Sequence, residues 1–217
     1  MPLPRSFYTP TALDVAPRLL NKVLVRGFRA ARIVEVEAYE GANDPSSHGY
    51  RGPTDRTRTM FGPPGHLYVY FTYGMHHCAN VVCGEDGVCS AVLLRAAAPL
   101  AGAGIMRRAR DAASRRRSTE PFRLVDLCSG PARLCQAFGL DRRDDGADLV
   151  AASVAAGRLP IAIVDDGTPP PESPGRSGRI GVTRAPNRLW RFYVAGDPNV
   201  SRSRWANTAS RSAAGTF

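Results

Sequence analysis

Two carboxylates placed two residues apart begin the strongest chemical pattern in this 217-residue chain. In Arg32-Ile-Val-Glu-Val-Glu-Ala-Tyr39, Val34, Val36 and Ala38 alternate with Glu35, Glu37 and Tyr39. A period of two describes a strand with its apolar residues on one face, so two carboxylates and a phenol share the other. A second run, Leu67-Tyr-Val-Tyr-Phe-Thr-Tyr-Gly-Met75, carries Tyr68, Tyr70, Phe71 and Tyr73 and ends at Gly74. It reads as a strand entering a turn, with Tyr68 and Tyr70 on one face. A carboxylate beside stacked rings can hold a flat molecule and carry out water chemistry next to it. Alone, each feature has a plainer reading: alternating Glu is ordinarily a solvated strand face, and tyrosines at strand spacing are ordinarily sheet packing.

The elements that must position these residues can be read in order. Residues 1–9 are expected to be loosely held, and a short helix is expected from Asp14, as N-cap, to Leu20. Strands are expected at Val23 to Val25 and Arg32 to Tyr39, joined across Gly27. Glu40 to Pro64 is a long polar loop carrying His48, and loops of that length in a compact domain are commonly functional. His66 to Ala97 reads as a three-strand meander turning at Gly74 and at Glu85-Asp-Gly87, a strong hairpin signal. Helices are expected over Gly102 to Ala113 and over Gly130 to Phe138, the second with Ser129 as N-cap and Gly139 as stop. Pro160 to Val164, Ile180 to Thr183 and Trp190 to Ala195 complete the strands, and Gly167 to Gly178 reads as a loop. Ser201 to Phe217 contains no acidic residue and is expected to be a mobile tail. The strand pattern points to the fold class α+β, over residues 1–200, built on a curved antiparallel sheet with a β-hairpin and flanking helices.

Composition narrows the partners. Formal charge is +10 and Lys22 is the only lysine, so arginine carries nearly all the positive charge. Arginine binds phosphate in a planar, two-pronged way and stays charged, which favours a polyanion; an arginine-rich composition without any such partner is the plain alternative. Arg107, Arg108, Arg110, Arg115, Arg116 and Arg117 form the densest basic cluster, which a solvated helix face would also explain. No apolar run approaches a membrane span and the first residues lack a signal-peptide core, so a soluble, intracellular protein is expected. Five cysteines (Cys78, Cys83, Cys89, Cys128, Cys135) without a C-x-x-C pair fit buried, reduced thiols.

The two runs together with their flanks, His48, Thr54-Asp-Arg-Thr-Arg-Thr-Met-Phe61, Cys78-Ala-Asn80 and Leu93-Leu-Arg95, closely resemble the alkyladenine (methylpurine) DNA glycosylase family. The likeness continues through Leu127-Cys-Ser-Gly-Pro-Ala-Arg-Leu-Cys-Gln-Ala137, Arg179-Ile-Gly-Val182 and Trp190-Arg-Phe-Tyr-Val194, spanning residues 10–201 in order. The resemblance implies a single domain around a curved, open, barrel-like antiparallel sheet with a protruding β-hairpin. It also implies a monofunctional enzyme of base excision repair that flips alkylated or deaminated purines out of duplex DNA and hydrolyses the N-glycosidic bond. It implies Glu37 as general base and Arg95 as the arginine holding the same water, with the carbonyl of Ile180 as a third ligand to it. Tyr39, His48 and Tyr70 match the walls of the base pocket, Asn80 the side chain that crowds a guanine amino group, and Tyr73 the wedge that fills the gap in the helix. The family's His is also credited with a backbone N–H contact to the purine 6-position. No cofactor or metal is implied; the partner is double-stranded DNA containing damaged purines, and a cytoplasmic or nucleoid-associated monomer is expected. Residues 141–178 match poorly, and His76-His77 falls where members of the family vary.

Alternatives remain beside this reading. Glu35 shares the face of Glu37 and competes for its role. A glycosylase/lyase would need an amine for a Schiff base, and only Lys22 or an exposed Pro2 could supply one. A zinc-containing module could be drawn from His76, His77, Cys78, Cys83 and Cys89, although the spacings are irregular. A non-catalytic DNA-binding protein explains the charge and the aromatics but leaves Glu37 and Arg95 without a purpose.

Overall fold

The strand carrying the two glutamates is the axis of the sheet. The computed structural model describes residues 1–72, 74–114, 120–151 and 159–201, and in it β2 (Arg29–Tyr39) pairs along its length with β5 (Ala91–Ala101). On its other edge the first half of β2 pairs with β1 (Val23–Arg26) and the second half with β8 (Arg191–Tyr193). β3 (Leu67–Thr72) and β4 (His76–Val82) extend the sheet beyond β5, β6 (Ile161–Val164) extends it beyond β1, and β7 (Gly175–Ser177) lies outside β8. Every ladder is antiparallel, and the sheet curls into an open half-barrel, an α+β fold as expected.

Both faces of β2 are covered. Ile33, Val36 and Ala38 join the main core, where they meet α2 (Ala12–Leu19). The helix presents Ala12, Val15, Ala16 and Leu19, an i, i+3, i+4, i+7 stripe. Ile33 and Val36 are three apart and share a face because the pairing with β5 slips twice around Glu35. Ile33 faces Ala97, Glu35 faces Ala96 and Val36 faces Leu94, so Val34 is extra on one strand and Arg95 on the other. Simple alternation of Val34, Val36 and Ala38 therefore needs correcting: Val34 is buried but lies outside the main core, and Ile33 takes its place. Bulges of this kind re-aim side chains, and here the re-aimed residue is Arg95.

Several elements differ from expectation. Residues 1–9 are tied down: Leu3 donates its N–H to the Ile163 carbonyl, Pro2 bridges Val164, and Phe7 and Tyr8 of α1 (Arg5–Tyr8) are buried. α2 is capped by Thr11, whose hydroxyl accepts from the Asp14 N–H, so the helix begins earlier than an Asp14 cap implied. α3 (Ala103–Ala113) and α4 (Pro131–Phe138) stand where the sequence places them. Gly130 rather than Ser129 caps α4, with Pro131 at the first helical position and the Ser129 hydroxyl accepting from Arg133 instead. Ile180 to Thr183 is a turn, not a strand: its first N–H goes to a glutamate side chain, and Gly181 has a φ of 77°. The Pro/Gly-rich loop before it hides β7, where a Cβ on Gly175 would collide with the Tyr193 ring. Ser201, the first residue of the expected tail, is buried, and residues 202–217 lie outside the described residues.

Candidate active site

A charged floor is built from three strands, β2, β5 and β8, and the loops beside them. Glu35 and Glu37 are both 0 % exposed, and Arg95 reaches them together: Nε donates to Glu35 Oε1 at 2.8 Å and Nη1 lies 3.2 Å from Glu37 Oε1. Glu37 Oε1 also accepts the Ile180 N–H at 2.7 Å, and its Oε2 accepts the Tyr39 hydroxyl at 2.9 Å. Glu35 is bound from the other side by Arg191 of β8 and by Ser201. Burial opposes ionisation of Glu35, but Arg95 and Arg191 outweigh it and hold the carboxyl below its ordinary range. Burial alone would likewise depress Arg95, yet Glu37 and Glu35 together raise it above the usual arginine value. Burial and the charge of Glu37 push Tyr39 well above the tyrosine range, so it remains a phenol that donates. Behind Tyr39, the Arg179 guanidinium lies 4.5 Å from its ring centroid and makes a two-pronged pair with the fully buried Asp44.

An aromatic wall faces this floor. Tyr68 and Tyr70, two apart on β3, are stacked with centroids 5.5 Å apart and planes 24° apart. His48 stands edge-on to Tyr70 at 4.5 Å, and its Nδ1 is 3.2 Å from the Tyr68 hydroxyl. Burial, with the nearby Arg56, lowers the His48 pKa, leaving the imidazole neutral at pH 7. Asn80 on β4 donates Nδ2 to the Tyr68 carbonyl at 3.3 Å.

Floor and wall enclose one cavity of about 360 Å³, within the range of small-molecule pockets. Tyr39, His48, Tyr70, Asn80, Arg95 and Ile180 all line it. Glu37 lies just behind that lining, held by three of its members. Ile180, expected to act through its carbonyl, is tied to Glu37 by its N–H. Tyr73, expected as the wedge, lies outside the described residues. The sequence reading missed Asp44, Arg191 and Ser201 as parts of the floor and gave Tyr68 and Arg179 no role; the only signal for Tyr68 was its period with Tyr70. The arginine cluster needs correcting in part: Arg107 donates to the Phe122 carbonyl, and Arg110, buried, donates to the carbonyls of Asp126 and Leu127. Arg108 is exposed, and Arg115, Arg116 and Arg117 lie outside the described residues.

Among the described residues, no group of three or more His, Cys, Asp or Glu is placed to hold a metal ion, and the five cysteines are buried and unpaired with one another. Lys22 is paired with Asp165 and Pro2 with β6; neither lines the cavity. Among the described residues, no helix is long and apolar enough to cross a membrane.

Comparison with known proteins gives the same direction. Residues 6–198 match the family model described as methylpurine-DNA glycosylase. A protein of Burkholderia lata named "Putative 3-methyladenine DNA glycosylase" is 52 % identical over 200 residues, covering 92 % of this chain and 90 % of its own. A Streptomyces avermitilis protein of the same name is 47 % identical over 216 residues, covering 97 % and 95 %. One from Chlorobaculum parvum, again so named, is 42 % identical over 203 residues, covering 91 % and 90 %.

Proposed function

The chain belongs to the methylpurine-DNA glycosylase family, and from that premise we propose how this DNA glycosylase, a hydrolase of N-glycosyl bonds, works. Its substrate is a damaged purine, alkylated or deaminated, in double-stranded DNA. A base inside a duplex is out of reach, so the nucleotide is flipped into the cavity while Tyr73 fills the gap. Tyr39, Tyr70 and His48 form the walls around the flipped base. An alkylated purine such as 3-methyladenine carries positive charge, and electron-rich ring faces attract it over a normal base. Asn80 crowds the position of a guanine amino group.

Glu37 takes a proton from a water held also by Arg95 and the Ile180 carbonyl. The water oxygen bonds to the sugar C1′, the C1′–N bond breaks, and its electron pair leaves with the base. A cationic alkylated base departs neutral, and a neutral deaminated base departs as its anion and takes a proton from solvent. As the sugar takes on oxocarbenium character, the buried carboxylate stabilises it. No amine of the protein enters, so the reaction is hydrolysis without strand cleavage.

One observation carries this reading: a carboxylate fixed by three donors, Tyr39 Oη, the Ile180 N–H and Arg95 Nη1, directly behind an aromatic cavity. The test is release of free base from duplex DNA treated with a methylating agent, separated by chromatography. Liberated 3-methyladenine with intact strands is the expected result. Binding without release makes the protein a non-catalytic one, and strand cleavage with borohydride trapping makes it a lyase.

A further inference from the structure

Glu35 has no part in the steps above, yet both of its oxygens are bonded. Oε1 accepts from Arg95 Nε at 2.8 Å, Arg191 Nε at 2.7 Å and Ser201 Oγ at 2.8 Å, and Oε2 accepts the Ser201 N–H at 2.6 Å. Arg191 is itself anchored, with Nη1 donating to Ser177 Oγ on β7 at 2.9 Å. Glu35, Glu37, Arg95 and Arg191 thus form a buried cluster of two negative and two positive charges drawn from β2, β5 and β8.

We propose that Glu35 is the positioning residue for Arg95, and that Arg191 and Ser201 complete its socket, so that the C-terminal end of the described chain holds the water-binding arginine from behind. This rests on the reading of Glu37 as base. Arg95 has two anchors among the carboxylates, one nitrogen on each glutamate, which fixes the plane of its guanidinium. Without the Glu35 anchor, Arg95 is free to turn and pair with Glu37 through two nitrogens, the geometry guanidinium and carboxylate favour. Glu37 already accepts from Ile180 and Arg95 on Oε1 and from Tyr39 on Oε2, so a second Arg95 nitrogen would take the acceptor position left for a water. Removing the charge of Glu35 also leaves the cluster with one net positive charge, which stabilises the Glu37 anion and weakens it as a base. The other titratable groups against the cluster are Tyr39 on β2, Tyr70 on β3, Cys78 on β4, Tyr193 on β8, whose ring lies 4.6 Å from the Arg191 guanidinium, and the Arg179–Asp44 pair beside Tyr39. Burial raises Tyr39, Tyr70 and Cys78, so none of the three changes charge on the acid side of neutrality.

The experiment is single-turnover base release as a function of pH for the full chain and for Glu35→Gln, Ser201→Ala and Glu37→Gln, with lesion-DNA affinity measured in parallel. Glu35→Gln is expected to slow release by about 10- to 100-fold, to keep its DNA affinity, and to move the acid limb of the rate to lower pH. A purely structural role would reduce the folded fraction and leave that limb in place. Ser201→Ala keeps the charge and loses one hydrogen bond, and is expected to slow release by about 3- to 10-fold with the limb unmoved. An unchanged rate and limb in Glu35→Gln, with Glu37→Gln inactive, overturns this inference alone, whereas an active Glu37→Gln overturns the base assignment beneath it. If Glu35→Gln does not fold, Ser201→Ala decides: a wild-type rate overturns the proposal.

Discussion

The charged floor and the aromatic wall of the cavity are built on opposite principles. Each floor residue is fixed by partners distant in sequence: Glu37 by Ile180, Glu35 by Arg191 and Ser201, Arg179 by Asp44. The wall is largely local, since Tyr68 and Tyr70 meet because they are two apart on one strand, and His48 leans on both from a single loop. Buried charge explains the difference. A carboxylate out of water is tolerated only when paired and hydrogen-bonded, so the floor must draw donors from several elements and is tied to the integrity of the fold. The uncharged rings of the wall need no counter-ion, so the wall can tolerate change while keeping the fold. On the proposed reading, reaction and stability are coupled on one side, and recognition is separable on the other.

Breaking the floor away from the reacting carboxylate should therefore cost most. Asp44→Ala leaves the 0 % exposed Arg179 side chain without its counter-ion, and a loss of about 3–5 kcal/mol is expected, read as a fall in the denaturant midpoint. A loss below about 1 kcal/mol would show that the floor is no more tied to the fold than the wall. Tyr70→Ala should leave the midpoint nearly unchanged by comparison and weaken productive binding of the lesion by about 1–3 kcal/mol, seen as a rise in KM or Kd on paired and mismatched lesions alike. If the Tyr70 substitution instead costs as much stability as the Asp44 one, the contrast fails.

The smallest effect concerns pH. Burial lowers His48 below its ordinary 6.5, so the unfolded chain takes up the proton first, and stability falls as pH drops through that value toward the lowered one. His77 is depressed too and contributes in the same window. Glu35 behaves differently: its folded value is lowered from 4.5, so the stability it brings is present above that pH and lost as pH falls below it. His48→Gln should flatten the melting-temperature slope between about pH 6.5 and pH 5.5 and leave the steeper acid loss intact. An unaltered slope between those values would remove His48 from the account.

How much of this the sequence discloses follows the same divide. Tyr39, Tyr70 and the alternation of Glu35 with Glu37 are legible because a strand repeats every two residues, so spacing alone predicts a shared face. The pairing of Arg95 with both glutamates is not, because it depends on two bulges that no local pattern announces. Nor is Ser201, which sits in a segment whose composition reads as a tail, although its N–H and hydroxyl both reach Glu35. The turn at Ile180 was misread as a strand because apolar residues flank Gly181, while its N–H serves a carboxylate from another part of the chain. The family resemblance placed Ile180, Asn80 and His48 at the cavity where spacing could not.

The central claim, that Glu37 activates the water, is tested most directly by Glu37→Gln on one lesion-bearing duplex, with base release and DNA affinity measured on the same preparation. Gln keeps the shape of the side chain, and its one carbonyl oxygen can still accept from Ile180 or from Tyr39, but it cannot take the proton. Release should fall by about 10²- to 10⁴-fold while affinity for the lesion duplex is retained or increased, since a negative charge behind the base cavity is removed. Wild-type release by Glu37→Gln, with Glu35→Gln inactive, would contradict the account and assign the water to the other glutamate.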